Sequence, residues 1–324
     1  MNPGDTILKI QDLHVEFPIN IGTVRAVQGV NLELKKGEVM GLVGESGCGK
    51  STLGFSILRL LRPPGRIAGG SIVYRGQDIV KMGRKDLLAL RGSKIAMIFQ
   101  DPLTSLNPLC SIGEHFVETL TTHERSIGRR EALERSGKML ESLGIACDRL
   151  REYPHQMSGG MRQRIMIGLA LIMNPDLLIA DEPTTALDVV VEAQFLDLLG
   201  DLKNRFNLTI ILITHNLGNV AQLADRITVM YGGAMAEVAP AGSLFDRPLH
   251  PYTRGLLASI PNIKLDQPKL MTMPGSPPDL VNPPGGCVFH PRCPLSIDLC
   301  PTQRPPVFSL DGHLVSCWLY RDSS

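Results

Sequence analysis

The chain has 324 residues, enough for one large core with a smaller appendage. Its 33 basic and 32 acidic residues give a net charge of +1, so nothing at the level of the whole chain points to a nucleic-acid binder. No apolar run reaches the roughly 18 residues needed to cross a bilayer, and an N-terminus carrying Asp5, Lys9 and Asp12 lacks a signal-peptide core, so a soluble cytosolic chain is expected.

Residues 7–17, with Ile7, Leu8, Ile10, Leu13, Val15 and Phe17 among polar residues, predict a half-buried strand. Residues 24–34 read as its antiparallel partner, ended by a turn at Lys36-Gly37. Phe17 stands where a ring could stack on adenine, since an aromatic face binds a base without reading it; it would serve equally as a core phenylalanine. The apolar run Val39-Met40-Gly41-Leu42-Val43 predicts a buried strand, followed at once by Gly44-Glu45-Ser46-Gly47-Cys48-Gly49-Lys50-Ser51. That is the pattern of a phosphate-binding loop. Glycines are needed because successive N–H groups must turn inward around a phosphate in conformations a Cβ would obstruct. Lys50 would neutralise the β- and γ-phosphates, and the Ser51 hydroxyl would take a position on Mg²⁺ at the start of a helix beginning near Thr52. Pro63-Pro64-Gly65 is expected to end that helix. Cys48, inside the loop, reads either as an oxidation-sensitive thiol or as a small filler.

Gly70 to Gly76 predicts a short strand and turn, and Lys94 to Phe99 an apolar strand delivering Gln100 at its carboxyl end. Ligands of open α/β sheets sit outside the carboxyl ends of strands, so an amide there could touch Mg²⁺ or an attacking water. Apolar residues then recur at helical spacing from Ile112 to Leu143, predicting a helical insert over about 105–165. Met157-Ser158-Gly159-Gly160-Met161 leads into a helix expected over Arg162 to Ile172, and free N–H groups at such a start form an anion site. Leu177 to Ala180 predicts a buried strand ending in Asp181-Glu182, two carboxylates that are costly at a core strand end unless they have partners or work. Asp181 suits Mg²⁺, and Glu182 suits polarising a water for attack on the γ-phosphate. Thr184 to Asp188 leads into a helix over about 191–206, and the strand 208–213 ends at Thr214-His215, where an imidazole could donate to the γ-phosphate.

From Met235 onward proline and glycine accumulate, and Pro261, Pro268, Pro274, Pro277, Pro278, Pro283 and Pro284 predict an irregular strap with little helix or strand. Beyond it Cys287, Cys293, Cys300 and Cys317 follow at gaps of five, six and sixteen residues. Four thiolates can hold a [4Fe–4S] cluster or tetrahedral Zn²⁺, or the four can stand as unmetallated thiols; wide gaps and prolines after two of the cysteines suit the cluster. The expected organisation is a nucleotide-binding domain over 1–235, a proline-rich linker over 236–285 and a cysteine-rich tail over 286–324.

The order and spacing of the phosphate loop 44–51, Gln100 with Asp101-Pro102, the stretch 157–161, Asp181-Glu182, Ala186-Leu187-Asp188 and His215 resemble the nucleotide-binding subunits of ATP-binding-cassette importers over essentially the whole chain. The stretch from Gln100 to Pro108, with Tyr153-Pro154-His155-Gln156, His250-Pro251-Tyr252-Thr253 and the cysteine tail, resembles the dipeptide/oligopeptide branch. Met157 and Met161 depart from the Leu and Gln more usual in the family, while Ser158-Gly159-Gly160 is intact.

The resemblance implies an α/β phosphate-loop NTPase of the cassette fold: a mixed, largely parallel sheet core, an antiparallel N-terminal layer, a helical subdomain and an irregular cysteine-rich tail. It implies an ATPase with ATP bound by Phe17, Gly44 to Thr52, Gln100, Asp181 and His215, and Mg²⁺ on Ser51, Gln100 and Asp181. Glu182, His215 and Gln100 would carry the catalysis, and Ser158, Gly159, Gly160 and Asp188 would reach ATP held by a second ATPase subunit, a sister protein. It also implies two membrane permeases, an extracytoplasmic peptide-binding protein, a place on the cytoplasmic face of the inner membrane, no nucleic-acid partner, and a [4Fe–4S] cluster on the four tail cysteines. Relatives of this branch include carriers of nickel, haem or saccharides. A soluble cassette ATPase acting on DNA or ribosomes would bring two cassettes, a coiled-coil insertion or a basic surface, and a small-molecule kinase would leave Ser158-Gly159-Gly160 and His215 without a purpose.

Overall fold

The computed structural model describes residues 6–100, 106–184, 189–259 and 273–322. Asp101, Pro102, Ala186, Leu187, Asp188, Pro261 and Pro268 therefore lie outside the described residues. The chain divides into two compact units, residues 1–81 with 212–324, and residues 82–211.

In the first unit, β1 (Thr6–Ile19) and β2 (Gly22–Lys35) form the expected antiparallel pair, from Thr6 opposite Lys35 to Ile19 opposite Gly22. Leu8 and Ile10 are buried, and so are Leu13 and Val15, although the two pairs fall on opposite parities of the strand. A bulge between Ile10 and Leu13, with Asp12 at φ 45°, resets the alternation so that both pairs face the core. After β3 (Val39–Val43), buried throughout, and α1 (Lys50–Ile57), β4 (Arg66–Tyr74) lies along the other side of β1 and β5 (Gln77–Asp78) along β4. The order β2-β1-β4-β5 contains the predicted antiparallel pair β1/β2 and extends it by β4 and β5.

The first helix ends well before Pro63. Arg59 adopts φ 50°; its N–H bonds to Ser56 O at 3.0 Å and Leu60 N–H reaches Phe55 O at 2.8 Å. These bonds close the helix in a Schellman turn with arginine at the position glycine usually takes. The carbonyl of Ile79 holds the Arg59 guanidinium at 3.3 Å.

The second unit holds α2 (Arg84–Leu90), β6 (Ile95–Ile98), α3 (Ile112–His123), α4 (Arg129–Ser142), α5 (Gly159–Leu171), β7 (Leu177–Asp181) and α6 (Val189–Phe206). β6 runs parallel to β7 with Ile95 opposite Leu177 and Ile98 opposite Ala180. α3 and α4 lie within the stretch read from the sequence as a helical insert. α3 starts in a capping box in which Ser111 Oγ accepts Glu114 N–H at 3.3 Å and the Glu114 carboxylate accepts Ser111 N–H at 2.7 Å. Phe116, Leu120, Met139 and Leu140 supply its core.

β8 (Thr209–Thr214) crosses the division and returns the chain to the first unit, which continues through α7 (Leu217–Leu223), β9 (Arg226–Tyr231) and β10 (Ala234–Pro240). It ends with α8 (Ala241–Asp246), α9 (Pro251–Ala258), β11 (Phe308–Leu310) and β12 (His313–Val315). β3 runs parallel to β9, β10 antiparallel to β9, and β12 pairs with both β10 and β11, giving β11-β12-β10-β9-β3. The strand and helices between 234 and 258 correct the expectation of irregular chain from Met235.

Glu237 is what holds that region. It is 1% exposed on β10, and its carboxylate accepts from the N–H groups of Leu249 and His250, both at 2.9 Å, and from His313 Nδ1 at 2.8 Å. One buried carboxylate thus satisfies donors from two later segments, the condition on which a charge is tolerated in a core. His250 in turn caps α9, its Nδ1 accepting Tyr252 N–H at 3.0 Å. Burial pushes the His250 imidazole from its ordinary 6.5 down to about 4. The unfolded chain takes up this proton near pH 6.5 and the folded chain only near 4, so stability should fall as pH drops through that window. The expected loss is about 3 kcal/mol between those limits, and His250→Asn, which keeps a capping acceptor, should flatten the profile. Urea midpoints at a series of pH values check this, and identical profiles for the two proteins would assign the pH dependence elsewhere.

Candidate functional site

The phosphate loop leaves the buried end of β3 and is wedged by backbone on two sides. Gly44 has φ 154° and a Cβ there would lie 2.2 Å from Met230 O; Gly49 has φ 101° and a Cβ there would lie 2.2 Å from Ala26 O. Neither position admits a side chain. The turn is closed by Cys48 N–H to Glu45 O at 3.3 Å, Gly233 N–H to Cys48 O at 3.0 Å and Leu53 N–H to Gly49 O at 2.9 Å. Lys50, buried, donates from Nζ to Gly44 O at 2.8 Å and Glu45 O at 3.0 Å. Cys48 is buried, and burial pushes its thiol up despite the Lys50 charge nearby, so it packs as a small filler and is no thiolate at neutral pH. Ser51 and Thr52 open α1 immediately behind the loop.

Two residues that sequence reasoning gave no role grip the loop from its outer side. Tyr252 Oη accepts the N–H of Glu45 at 2.9 Å, and Arg292 forks onto the Glu45 carboxylate at 2.7 and 3.0 Å. Tyr231, Tyr252 and Phe289 pack ring against ring at centroid distances of 4.6, 5.1 and 5.4 Å and carry both contacts. The fragment His250-Pro251-Tyr252-Thr253 was the available signal for Tyr252; for Arg292 the sequence offers only its place between two cysteines.

In the second unit, the parallel register of β6 and β7 brings Gln100 to Glu182, with Nε2 donating to Oε2 at 3.1 Å. Asp181 is 2% exposed at the last position of β7. Glu182 has φ 44°, a left-handed conformation costly for a side chain bearing a Cβ. The next two residues are pinned: Gln163 Nε2 donates to Pro183 O at 2.6 Å and Thr184 Oγ1 to Glu192 Oε1 at 2.5 Å.

Ser158 is the N-cap of α5, its Oγ accepting Met161 N–H at 3.3 Å, so the helix starts at Gly159 and not at Arg162. A cavity of about 720 Å³ opens over Ser158, Gly159, Gly160, Arg164 and Val191. His215 is exposed just past β8, where Asn216 caps α7 by accepting Gly218 N–H at 2.9 Å. Phe17 is half-buried near the end of β1, its ring edge 2.4 Å from where a Cβ on Gly65 would stand. Asp188 lies outside the described residues.

In the tail, Cys300 and Cys317 are buried and Cys287 and Cys293 half-buried. Cys287 N–H bonds to Cys300 O at 2.8 Å and Ile297 N–H faces Cys300 Sγ at 3.5 Å. Burial raises Cys287, Cys293 and Cys317, the last to about 11, with neighbouring thiols adding to each shift. The amides of Phe289 and His290 on Cys287, Leu295 on Cys293 and Leu319 on Cys317 pull the other way. Among the described residues no group of three or more His, Cys, Asp or Glu side chains forms a ready metal shell.

Among the described residues, no helix is long and apolar enough to cross a membrane. Residues 27–185 match the ABC transporter family, and residues 236–300 match the oligopeptide/dipeptide transporter C-terminal region. The dipeptide transport ATP-binding protein DppD of Bacillus subtilis is 46% identical over 97% of this chain and 95% of its own length. The oligopeptide transport ATP-binding protein OppD of Salmonella typhimurium is 45% identical over 98% of this chain and 94% of its own. In structure the chain is similar to a dimeric ATP-binding cassette in a post-hydrolysis state with ADP and phosphate, at TM-score 0.65 and 25% identity over 72% of this chain and 98% of that one. The chain therefore belongs to the ATP-binding subunits of ABC transporters, in the branch that carries the oligopeptide/dipeptide C-terminal region.

Proposed function

We propose that this chain is an ATP-hydrolysing motor subunit that energises import of di- and oligopeptides. It would sit on the cytoplasmic face of the membrane against two permease subunits, with an extracytoplasmic binding protein delivering the peptide. The observation that carries the ATPase reading is the phosphate loop at the carboxyl end of β3, with glycines where only glycine fits. The peptide cargo is supported by near full-length likeness to dipeptide and oligopeptide transport ATP-binding proteins.

In this reading residues 1–235 are the cassette, and Gly44 to Thr52 wrap the phosphates with Lys50 on the β- and γ-groups. Ser51, Gln100 and Asp181 would hold Mg²⁺, which supplies charge neutralisation at the phosphates. Glu182 accepts a proton from water as its oxygen attacks the γ-phosphorus and the bond to ADP breaks; Gln100, already bonded to Glu182, orients the pair. His215 donates to the γ-phosphate and Phe17 stacks on adenine. Ser158, Gly159, Gly160 and Asp188 would meet ATP carried by a sister ATPase subunit, a reading supported by the dimeric state of the structural relative. ATP favours the closed pair and its cleavage releases it, so differential affinity for the closed state drives the permeases.

The proposal extends to the tail, where Cys287, Cys293, Cys300 and Cys317 would bind a [4Fe–4S] cluster, with Zn²⁺ as the competing occupant. Backbone N–H groups directed at the sulfurs support this, because such donors stabilise thiolate ligands of a cluster.

Glu182→Gln should bind ATP within about twofold of the parent and lose about 10³-fold in turnover. Equilibrium ATP binding and phosphate release measure the two, and sustained hydrolysis by the variant would remove Glu182 from the base role. Anaerobically isolated protein should be brown, with about four iron and four sulfide per chain; zinc alone on elemental analysis would replace the cluster with a zinc site.

A further inference from the structure

We propose that Arg292, in the cysteine-bearing tail, is a positioning residue of the ATP site: by cancelling the charge of Glu45 within the phosphate loop it lets that loop accept a triphosphate. The inference rests on reading residues 44–51 as the ATP-binding loop. Glu45 is the second residue of the loop, and a bare carboxylate there opposes the multiply charged ligand the loop exists to bind. Arg292 removes that opposition. Nη1 donates to Oε2 at 2.7 Å and Nη2 to Oε1 at 3.0 Å, the two-point geometry that an arginine fork makes and a lysine cannot.

The guanidinium has little freedom to leave. Nε donates to Pro274 O at 2.9 Å, Nη1 also reaches Tyr231 Oη at 3.2 Å, and Cζ lies 5.6 Å from the centre of the Tyr231 ring. The Arg292 side chain is 6% exposed, so the pair is shielded from water on the arginine side and loses less to screening than a surface pair. Tyr252 Oη fixes the backbone of the same glutamate by accepting its N–H, so the C-terminal region holds both the charge and the chain direction of Glu45. Arg292 is itself set by the turn His290–Arg292, with its N–H on Phe289 O at 3.0 Å and Cys293 N–H on His290 O at 3.2 Å.

The test uses the full chain, with ATP affinity measured by equilibrium binding and KM and kcat by phosphate release. Arg292→Met keeps the buried aliphatic stem and removes the charge; it should weaken ATP binding about tenfold, or ~1.4 kcal/mol, with the loss in KM and not in kcat. The deficit should shrink as salt is raised, because the exposed edge of Glu45 is then screened. Arg292→Met combined with Glu45→Gln should recover most of the affinity, since no charge is left to repel the phosphates. Arg292→Ala should follow the Met variant. A purely structural role predicts the opposite, with the double variant at least as impaired as the single one. The inference is overturned if Arg292→Met binds ATP as tightly as the parent, or if the double variant binds no better than Arg292→Met. A parent chain that fails to bind ATP, or a Lys50→Ala chain that binds it equally well, would instead overturn the reading of the loop itself.

Discussion

The fold turns on a short run of backbone that must present its N–H groups inward and can do so only where nothing projects from Cα. Gly44 and Gly49 are each pressed against a carbonyl oxygen, of Met230 and Ala26, at a distance no side chain survives. Those carbonyls belong to β9 and β2, so the loop takes its shape from strands on two sides. The loop therefore depends on the parallel register of β3 with β9: a shifted register would move Met230 away from Gly44 and open the loop.

A comparable constraint acts at Glu182. A glutamate at φ 44° carries on the order of 1–2 kcal/mol of strain, and that conformation persists only if neighbours fix it. They do, through the Gln163 amide on Pro183 O and the Thr184 hydroxyl on Glu192, so the carboxylate is aimed at Gln100 before any ligand arrives. Strain is spent here on the direction of the carboxylate, and in the proposed role of Glu182 as base proton transfer would depend on that reach and alignment.

The motifs were legible because each is short, contiguous and chemically demanding: the glycine spacing of 44–51, paired carboxylates after an apolar strand, Ser158 before two glycines. The β1/β2 pair and the helical insert were legible through their periods. What escaped depends on partners far along the chain. α1 stops at Arg59, a residue whose left-handed conformation no propensity suggests, and residues 234–258 order around Glu237, whose value lies in donors at 249, 250 and 313. A reading that weighs each segment by its own composition sees prolines there and predicts irregularity; the buried carboxylate that reverses this has no local signature.

The grip on Glu45 shows how the late part of the chain completes the early part. Tyr252 and Arg292 stand 207 and 247 residues away in sequence, yet their contacts with this one glutamate are direct. The entropy of closing loops of that size rises only with the logarithm of length, so the second contact costs almost nothing beyond the first once the C-terminal region has docked. The aromatic cluster of Tyr231, Tyr252 and Phe289 provides that docking by spreading burial over residues from β9, α9 and the tail. The strands that wedge Gly44 and Gly49 come from the early chain and β9, whereas the guanidinium on Glu45 comes from the tail. If residues 44–51 hold ATP as proposed, the oligopeptide/dipeptide transporter C-terminal region would contribute to the electrostatics of the nucleotide site as well as carry cysteines.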